Sequence, residues 1–415
     1  MKLSNNIFDN IFLALFVHLF GYAIFQINQI IGSSICLMSV IYMIICILKR
    51  ARYSLRVNKL AGVLIITYLF LDFTCVILQS YLRGEPIWEV GEINSFMSYH
   101  FVVNNAYLAY VLPFCFLLDT KNFTLRGYCK YAYLATIAAF FVVAITAIAE
   151  GISTERLFIY DIHRLLSTLI PSITLYVTFY GKKVRLACIC LIAFALLYAI
   201  FGARRGMSLT YTIMIVLMIY FRVYRQSRRK RMYQCLFLIG CVAIYFTPKD
   251  LENLVPNNEL TEKILNKGML DNRSGIEDGF FDDMFNSDDI LFGRGINGTY
   301  TTYVEQNGKF LFVSRKALET GYWYMWLIGG GLFVNIYVIL LIYSGVKGIL
   351  KGKNSVVQFM GCTILLSVAE LYPYGLPTFS PKYFLIYMGV ILCNQKLFLF
   401  MDDETIRKKL ALDEA

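Results

Sequence analysis

The sequence has few charged residues for its length. Only 16% of the 415 residues are Asp, Glu, Lys or Arg, whereas 58% are hydrophobic. A soluble domain is about 25% charged and about 45–50% apolar, so this composition excludes an ordinary soluble protein. The apolar residues occur in blocks of roughly 17–22, which is the length that a helix needs to cross a membrane.

Histidines and patterned cysteines are also scarce. The three histidines are His18, His100 and His163, and none lies in the long hydrophilic segment 248–320. The eleven cysteines are scattered singly, nearly all in apolar blocks, and none falls in that segment. This distribution excludes a disulfide framework and a zinc site, and we expect neither a metal nor a cofactor.

A cleavable signal peptide is not indicated, because the first apolar block, 7–26, lacks a basic leader and a small-residue cleavage site. Lipid offers backbone groups no hydrogen-bond partners, so each apolar block must be a helix. We therefore predict an all-α integral membrane protein, with residues 1–415 forming a single polytopic domain of about twelve spans. The predicted spans are 7–26, 30–48, 60–80, 101–118, 131–149, 163–180, 185–202, 207–222, 233–247, 321–343, 355–371 and 381–399.

The positive charges predict the orientation of the spans. If the N-terminus is cytoplasmic, the short inner loops and both tails hold 25 of the 39 Lys and Arg residues, and the short outer loops hold six. Cytoplasmic loops carry such an excess. Both termini, including the tail 400–415, are thus expected in the cytoplasm, and 248–320 is expected to be an extracytoplasmic loop between spans nine and ten. The net charge of +11 then faces anionic lipid, not nucleic acid.

Two adjacent arginines oppose this charge bias. Arg204 and Arg205 lie in the short predicted outer turn 199–208, close to the hydrocarbon. An arginine costs on the order of 3 kcal/mol at the centre of a membrane helix and less near the interface. Span eight is expected to begin at Gly206, where free N–H groups and the helix dipole attract anions. We interpret the turn as a diphosphate site; arginines that snorkel without a ligand are the alternative.

Other polar residues have two interpretations each. Asp282-Asp283 and Asp288-Asp289 either bind a hard cation or, as we favour, form a solvated acidic surface with helix caps. His163-Arg164 is either a base beside an anion clamp or a pair at headgroup level. Asp72 in span three and Glu370 near the outer end of span eleven are either functional or paired with an inward arginine.

Several motifs follow one another between about residues 199 and 345. They are the turn Phe201-Gly-Ala-Arg-Arg-Gly206, Arg273, Leu291-Phe-Gly-Arg-Gly295, and Glu319-Thr-Gly-Tyr-Trp-Tyr324 followed by Gly329-Gly-Gly331. Their order and common outer placement resemble the Wzy family of O-antigen and capsule repeat-unit polymerases. The first half of the chain resembles that family in hydropathy alone.

The resemblance implies a GT-C-like bundle in the bacterial plasma membrane that polymerises polyprenyl-diphosphate-linked oligosaccharides. A flippase and a chain-length regulator are the implied protein partners, and the bilayer surrounds the bundle. The expected catalytic residues are Arg204, Arg205, Arg273, Glu319 and His163. The expected substrate-binding residues are Arg164, Arg294, Tyr322 and Ser208.

Three other functions compete with polymerisation. Related O-antigen ligases place a His-Asn pair where this chain has Glu319-Thr320, which favours a polymerase over a ligase. A lipid-linked glycan flippase or another twelve-span transporter fits the number of spans, but no repeat relates the two halves, as carriers often show. A non-catalytic scaffold leaves the arginine turn unexplained.

Overall fold

A computed structural model describes the chain over residues 6–25, 28–79, 106–128, 130–132, 134–135, 186, 189–193, 195–196, 205–220, 274–306, 309–315, 318, 320–374 and 377–410. These residues are mostly helical. The α-helices are α1 (Ile7–Phe25), α2 (Gln29–Arg50), α3 (Lys59–Leu71), α4 (Ala106–Val111), α5 (Arg205–Ile219), α6 (Ser274–Phe285), α7 (Gly321–Lys351), α8 (Ser355–Tyr374), α9 (Pro381–Asn394), α10 (Lys396–Phe400) and α11 (Asp403–Lys409). The two strands are β1 (Tyr300–Gln306) and β2 (Lys309–Arg315).

The helices of the described part have the dimensions of a membrane bundle. Four of them are long and apolar enough to cross a membrane: Gln29–Arg50, Lys59–Leu78, Gly321–Lys351 and Ser355–Tyr372. Their exposed faces are apolar at helical spacing, for example at Val63, Ile66, Phe70 and Phe73 of the third span. An apolar stripe of this kind on the outside of a bundle suits lipid rather than water. The membrane class and the helical architecture are therefore as predicted, and the count of twelve spans stays a prediction.

Most predicted spans inside the described residues correspond to helices, with three differences. The tenth span extends to Lys351 rather than 343. The twelfth ends at Asn394, and Gln395 separates it from the short helix α10. The fourth changes from α-helix to a 3-10 helix (Leu112–Leu117) beside Pro113, which lacks the N–H that an α-helix needs. The predicted spans 131–149, 163–180, 185–202 and 233–247 lie wholly or largely outside the described residues.

Small residues allow the helices of the bundle to approach closely. A Cβ atom on Gly32 of α2 would meet the backbone of Phe25 in α1. Likewise, a Cβ atom on Gly361 of α8 would lie 2.7 Å from the carbonyl oxygen of Gly345 in α7. Membrane helices associate through such close contacts because lipid supplies no hydrophobic driving force between them.

One end of the bundle, here called the basic end, joins five segments. It comprises Asn6, residues 51–58, residues 117–125, the α7–α8 junction (352–354) and the tail from Asn394 to Leu410. Backbone hydrogen bonds connect Ser54 N–H to Leu117 O (2.9 Å), Lys353 N–H to Leu399 O (2.8 Å) and Leu125 N–H to Leu410 O (2.9 Å). All five belong to segments that the charge distribution assigns to one side of the membrane, so their convergence agrees with the predicted alternation of the spans.

The opposite end, here called the loop end, carries residues 274–315. Strand β1 pairs antiparallel with β2, from Tyr300 opposite Arg315 to Gln306 opposite Lys309. Helix α6 packs on β1 so closely that a Cβ atom on Gly279 would meet the Thr302 side chain. The sequence analysis expected helices alone, so this hairpin is a difference: part of the long loop has its own fold.

Candidate functional site

The predicted arginine turn ends where a helix begins. Helix α5 starts at Arg205, one residue earlier than expected, and its first turn contains Gly206 and Ser208. The first N–H groups of a helix have no intrahelical partner, and they carry the positive end of the helix dipole. Arg205 and Ser208 are therefore held at an anion-attracting helix terminus, with Arg204 the residue directly before it.

Other predicted catalytic residues lie outside the described residues: Arg204, Arg273, Glu319 and His163, together with the substrate-binding candidate Arg164. Two of these have described neighbours in the chain. Ser274, directly after Arg273, begins helix α6. Thr320, directly after Glu319, is the N-cap residue of α7, is fully buried, and donates its hydroxyl hydrogen to Glu277 of α6 (2.5 Å).

Arg294 is bound by two acidic side chains of the loop. Its Nη1 lies 2.5 Å from Asp283 Oδ2 and 2.6 Å from the Thr299 carbonyl oxygen, and its Nε lies 2.9 Å from Asp289 Oδ2. Burial acts to lower the pKa of Arg294, but hydrogen bonds and charge from the two carboxylates outweigh it and raise that pKa. This geometry favours a structural role for Arg294, because a phosphate would compete with bonds already made.

The acidic pairs of the loop thus have a described use. Asp283 also accepts the backbone N–H of Thr301 (3.1 Å), so one carboxylate joins α6, the turn and β1. Asp289 and Asp283 together enclose the guanidinium group of Arg294. Neither the cation site nor the capping surface weighed above includes this ion-pair network.

The glycine-rich turn after Asp289 is seated in a break of helix α7. Gly330 has φ +79° and ψ 172°, a conformation that only glycine adopts readily. The break leaves the carbonyl oxygens of Leu327 and Ile328 to accept the N–H groups of Arg294 (2.7 Å) and Gly295 (2.8 Å). A Cβ atom on Gly330 would collide with the carbonyl group of Leu291. The turn and the helix therefore fit together only with glycine at this position.

Aromatic side chains extend this joint along the first third of α7. Phe281 meets Trp323 edge to face at 4.8 Å, and Phe285 meets Trp326 at 6.2 Å between ring centroids. The Trp326 indole donates to Ile290 O (2.8 Å). A helix of 31 residues is about 46 Å long, whereas the hydrocarbon layer is about 30 Å thick. The tryptophans at one end of α7 therefore suit the level of the lipid headgroups.

Two further contacts link α7, α8 and α9 at the loop end. The Tyr322 hydroxyl donates to Val368 O (2.5 Å), so this predicted substrate-binding residue ties α7 to α8. Glu370 of α8 pairs with Lys382 of α9 at 2.6 Å, and both side chains are nearly buried. Glu370 thus has the structural alternative weighed above, with a lysine rather than an arginine as its partner.

The sequence contained a signal for one of the features that were missed. Asn307-Gly308 separates two β-rich heptapeptides, and this dipeptide is the strongest short-range hairpin signal. The joint at Gly330 has a weaker signal, a run of three glycines, because its partner Leu291 is remote in sequence. Comparison with protein-family models, with curated proteins and with solved structures found no match.

Proposed function

We propose that the protein is a glycosyltransferase that polymerises lipid-diphosphate-linked oligosaccharide repeat units of a bacterial surface polysaccharide. The reaction takes place at the outer face of the plasma membrane, in a bundle of about twelve spans. One observation carries the proposal: the pair Arg204-Arg205 directly precedes or begins helix α5, so fixed positive charge and free helix N–H groups coincide.

The distribution of charge supports the orientation that this function needs. Exposed basic residues such as Lys49, Arg56 and Lys121 lie at or near the basic end of the bundle, and the positive-inside rule places that end in the cytoplasm. The loop end then faces outward, where lipid-linked repeat units wait after translocation. In this orientation both termini are cytoplasmic, and the start of α5 belongs to the outer side.

The chemistry explains why arginine is the useful side chain. An acceptor hydroxyl attacks the anomeric carbon of the donor glycan, a new glycosidic C–O bond forms, and the C–O bond to polyprenyl diphosphate breaks. Negative charge grows on the departing diphosphate, and preorganised positive groups stabilise it most in the transition state. Arg204 and Arg205 hold the diphosphate through bidentate guanidinium contacts, and neither can lose its proton.

The remaining residues have subsidiary roles in this proposal. The acceptor hydroxyl gives its proton to a base, for which Glu319 and His163 are the candidates. Arg273 adds positive charge at the start of α6, and Arg164 and Ser208 contribute polar contacts to the lipid-linked substrate. Arg294 and Tyr322 act indirectly, since their bonds to Asp283, Asp289 and Val368 maintain the surface on which the glycan rests.

The test is the length of the glycan made by variants of Arg204 and Arg205 in a host that produces the polymer. We expect Arg204→Ala and Arg205→Ala to abolish long chains while single repeat units still reach the cell surface. Arg→Lys at either position should retain little activity if the bidentate fork matters, and part of it if charge alone suffices. Arg56→Ala is the matched control, because it removes an exposed arginine from the basic end.

The same experiment separates polymerisation from the competing functions. A flippase defect would leave repeat units on the cytoplasmic side of the membrane. A ligase defect would leave long polymer that is not transferred to its final acceptor. Long chains of normal distribution in the Arg204→Ala, Arg205→Ala double variant, at normal protein levels, would refute the proposal.

A further inference from the structure

Asp72 is a carboxylate inside the bundle without any compensating partner. Its residue is 0% exposed, and among the described residues neither carboxylate oxygen has a hydrogen-bond donor. No lysine, arginine or histidine of the described chain acts on it. An unpaired charge in such a place is costly enough that the group is neutralised instead.

Asp72 begins a π-helical segment, Asp72–Leu78, in the third span. The wider turn of a π-helix re-aims side chains, and such turns often occur at functional sites. Gln79 at the end of this span donates to Gly293 O (2.7 Å) at the loop end. Seven residues separate Asp72 from Gln79, which places Asp72 about 10 Å below that contact, within the hydrocarbon layer.

Four tyrosines from four different elements surround Asp72. Tyr68 of α3, Tyr110 of α4, Tyr337 of α7 and Tyr387 of α9 all interact electrostatically with its carboxyl group. The rings pack closely, with Tyr68 and Tyr337 centroids 5.2 Å apart. The four residues and Asp72 are called the tyrosine cluster below.

The hydroxyl groups of this cluster are unsatisfied as well. Tyr110, Tyr337 and Tyr387 are buried, and in the described part of the chain their hydroxyls make no hydrogen bond of normal geometry. Buried polar groups in native proteins nearly always have partners, so a concentration of orphans marks a ligand that the side chains share. Since a phenol both donates and accepts a hydrogen bond, it can serve a carboxylic acid on either oxygen.

We propose that the tyrosine cluster is a proton-binding site in the membrane interior, with Asp72 carried as a neutral carboxylic acid. One bound proton cancels the single charge, and the acid can donate to one phenol and accept from another after small rotations. A divalent cation would leave an uncompensated positive charge in the same place. A monovalent cation is the competing ligand, because the cluster offers only oxygen atoms. The site is independent of the glycosyl transfer proposed above.

Infrared spectroscopy of the purified protein in lipid nanodiscs at neutral pH tests the proposal. A protonated carboxyl group has a C=O stretch well separated from those of carboxylates and amides. We expect this band in the unmodified protein, a downshift when aspartate is labelled with ¹³C, and its loss in Asp72→Asn. Asp288→Asn, which removes an exposed carboxyl group from the loop, should leave the band unchanged.

Two additional variants keep the test decisive. Tyr110→Phe and Tyr337→Phe should shift the frequency of the band, since each removes a hydrogen-bonding partner; an effect on packing alone would not. If Asp72→Asn does not accumulate, Asp72→Glu should move the isotope shift from labelled aspartate to labelled glutamate. Absence of an Asp72-dependent band would overturn the proposal, and a Na⁺- or K⁺-dependent thermal stability that Asp72→Asn loses would then identify the ligand as a cation.

Discussion

The two ends of the bundle use their charged residues in opposite ways. At the basic end the ion pair Lys408–Glu404 leaves its side chains 70% and 79% exposed, and backbone hydrogen bonds hold the segments together. At the loop end Lys382–Glu370 leaves only 11% and 5% exposed. Exposed pairs contribute little to stability, whereas breaking a buried pair strands a charge. The basic end therefore keeps its charges for the surroundings, and the loop end uses its charges internally.

This contrast separates positions that determine topology from positions that determine shape. Loss of one surface charge at the basic end changes neither packing nor hydrogen bonds. At the loop end, α6, the glycine-rich turn, β1 and α7 share a few contacts that all involve Arg294 or Gly330. Substitutions of matched chemistry at the two ends should consequently differ widely in effect.

The largest effect is expected for Gly330→Ala. The added Cβ would collide with the Leu291 carbonyl group, and alanine does not tolerate φ +79° with ψ 172°. Strain and overpacking together should cost about 2–6 kcal/mol, enough to release the turn from α7. Limited proteolysis of residues 274–315 in the folded protein would detect this release as faster cleavage.

Gly62→Ala provides the comparison from the basic end. Its Cβ would lie 3.6 Å from Val57, an ordinary contact, and Gly62 is in the helical region near the start of α3. Alanine there should stabilise the protein by about 0.4–1 kcal/mol. Equal protease resistance of the two glycine variants would show that the turn is not seated on Gly330.

Arg294→Ala should have an intermediate effect. It leaves Asp283 and Asp289 without their shared partner, at a cost of about 1–3 kcal/mol for an unsatisfied, partly buried group. We expect faster hydrogen exchange in α6 and β1, with α1–α3 unaffected. Arg294→Lys should recover part of the protection, because a lysine bonds one carboxylate but lacks the fork.

Arg315→Ala is the control for Arg294, since it removes an arginine from the neighbouring strand β2. If Arg294→Ala left exchange unchanged but removed long glycan chains, Arg294 would be a substrate-binding residue, as the resemblance implied, and the structural role would be wrong.

How far the sequence predicted this structure depends on the range of the interactions involved. The limits of α1, α2 and the third span follow from hydrophobic length alone, so they were predicted within about two residues. The Arg294 network joins residues 5 and 11 positions apart in the chain, and spacing alone does not select Asp283 and Asp289 over Asp282 and Asp288. The seat of the turn in α7 depends on residues about forty positions apart, which no local pattern encodes.

The candidate site divides in the same way. The coincidence of Arg205 with a helix start followed from glycine at 206 and the adjoining apolar block, and α5 begins within one residue of the expected place. By contrast, the tyrosine cluster brings residues from four separate elements to Asp72. The sequence marked Asp72 as an intramembrane carboxylate but gave no reason to connect it with Tyr110, Tyr337 or Tyr387.

The smallest effect is expected at the basic end, for the cap of helix α11. Asp402 accepts the N–H of Thr405 (2.8 Å), which lowers the pKa of Asp402. A lowered pKa means that the cap stabilises α11 above the ordinary aspartate value of about 3.9 and is lost as pH falls through the lower value. Hydrogen exchange of residues 403–410 against pH would follow this loss.

Asp402→Asn isolates the contribution of titration to that cap. Asparagine caps a helix about as well as aspartate but does not ionise in this range. The variant should therefore keep the slow exchange at neutral pH and lose the acid dependence. An identical acid dependence in both proteins would assign the fraying to other groups of the tail.

The central claim is that the start of α5 lies on the outer side, opposite the basic end. Labelling with a membrane-impermeant maleimide in intact cells tests it, with Arg204→Cys and Arg56→Cys introduced separately into a background without native cysteines. We predict that the cysteine at position 204 is labelled from outside and that the one at position 56 reacts only after permeabilisation. The reverse pattern would contradict the account and remove the basis for a diphosphate site at Arg204 and Arg205.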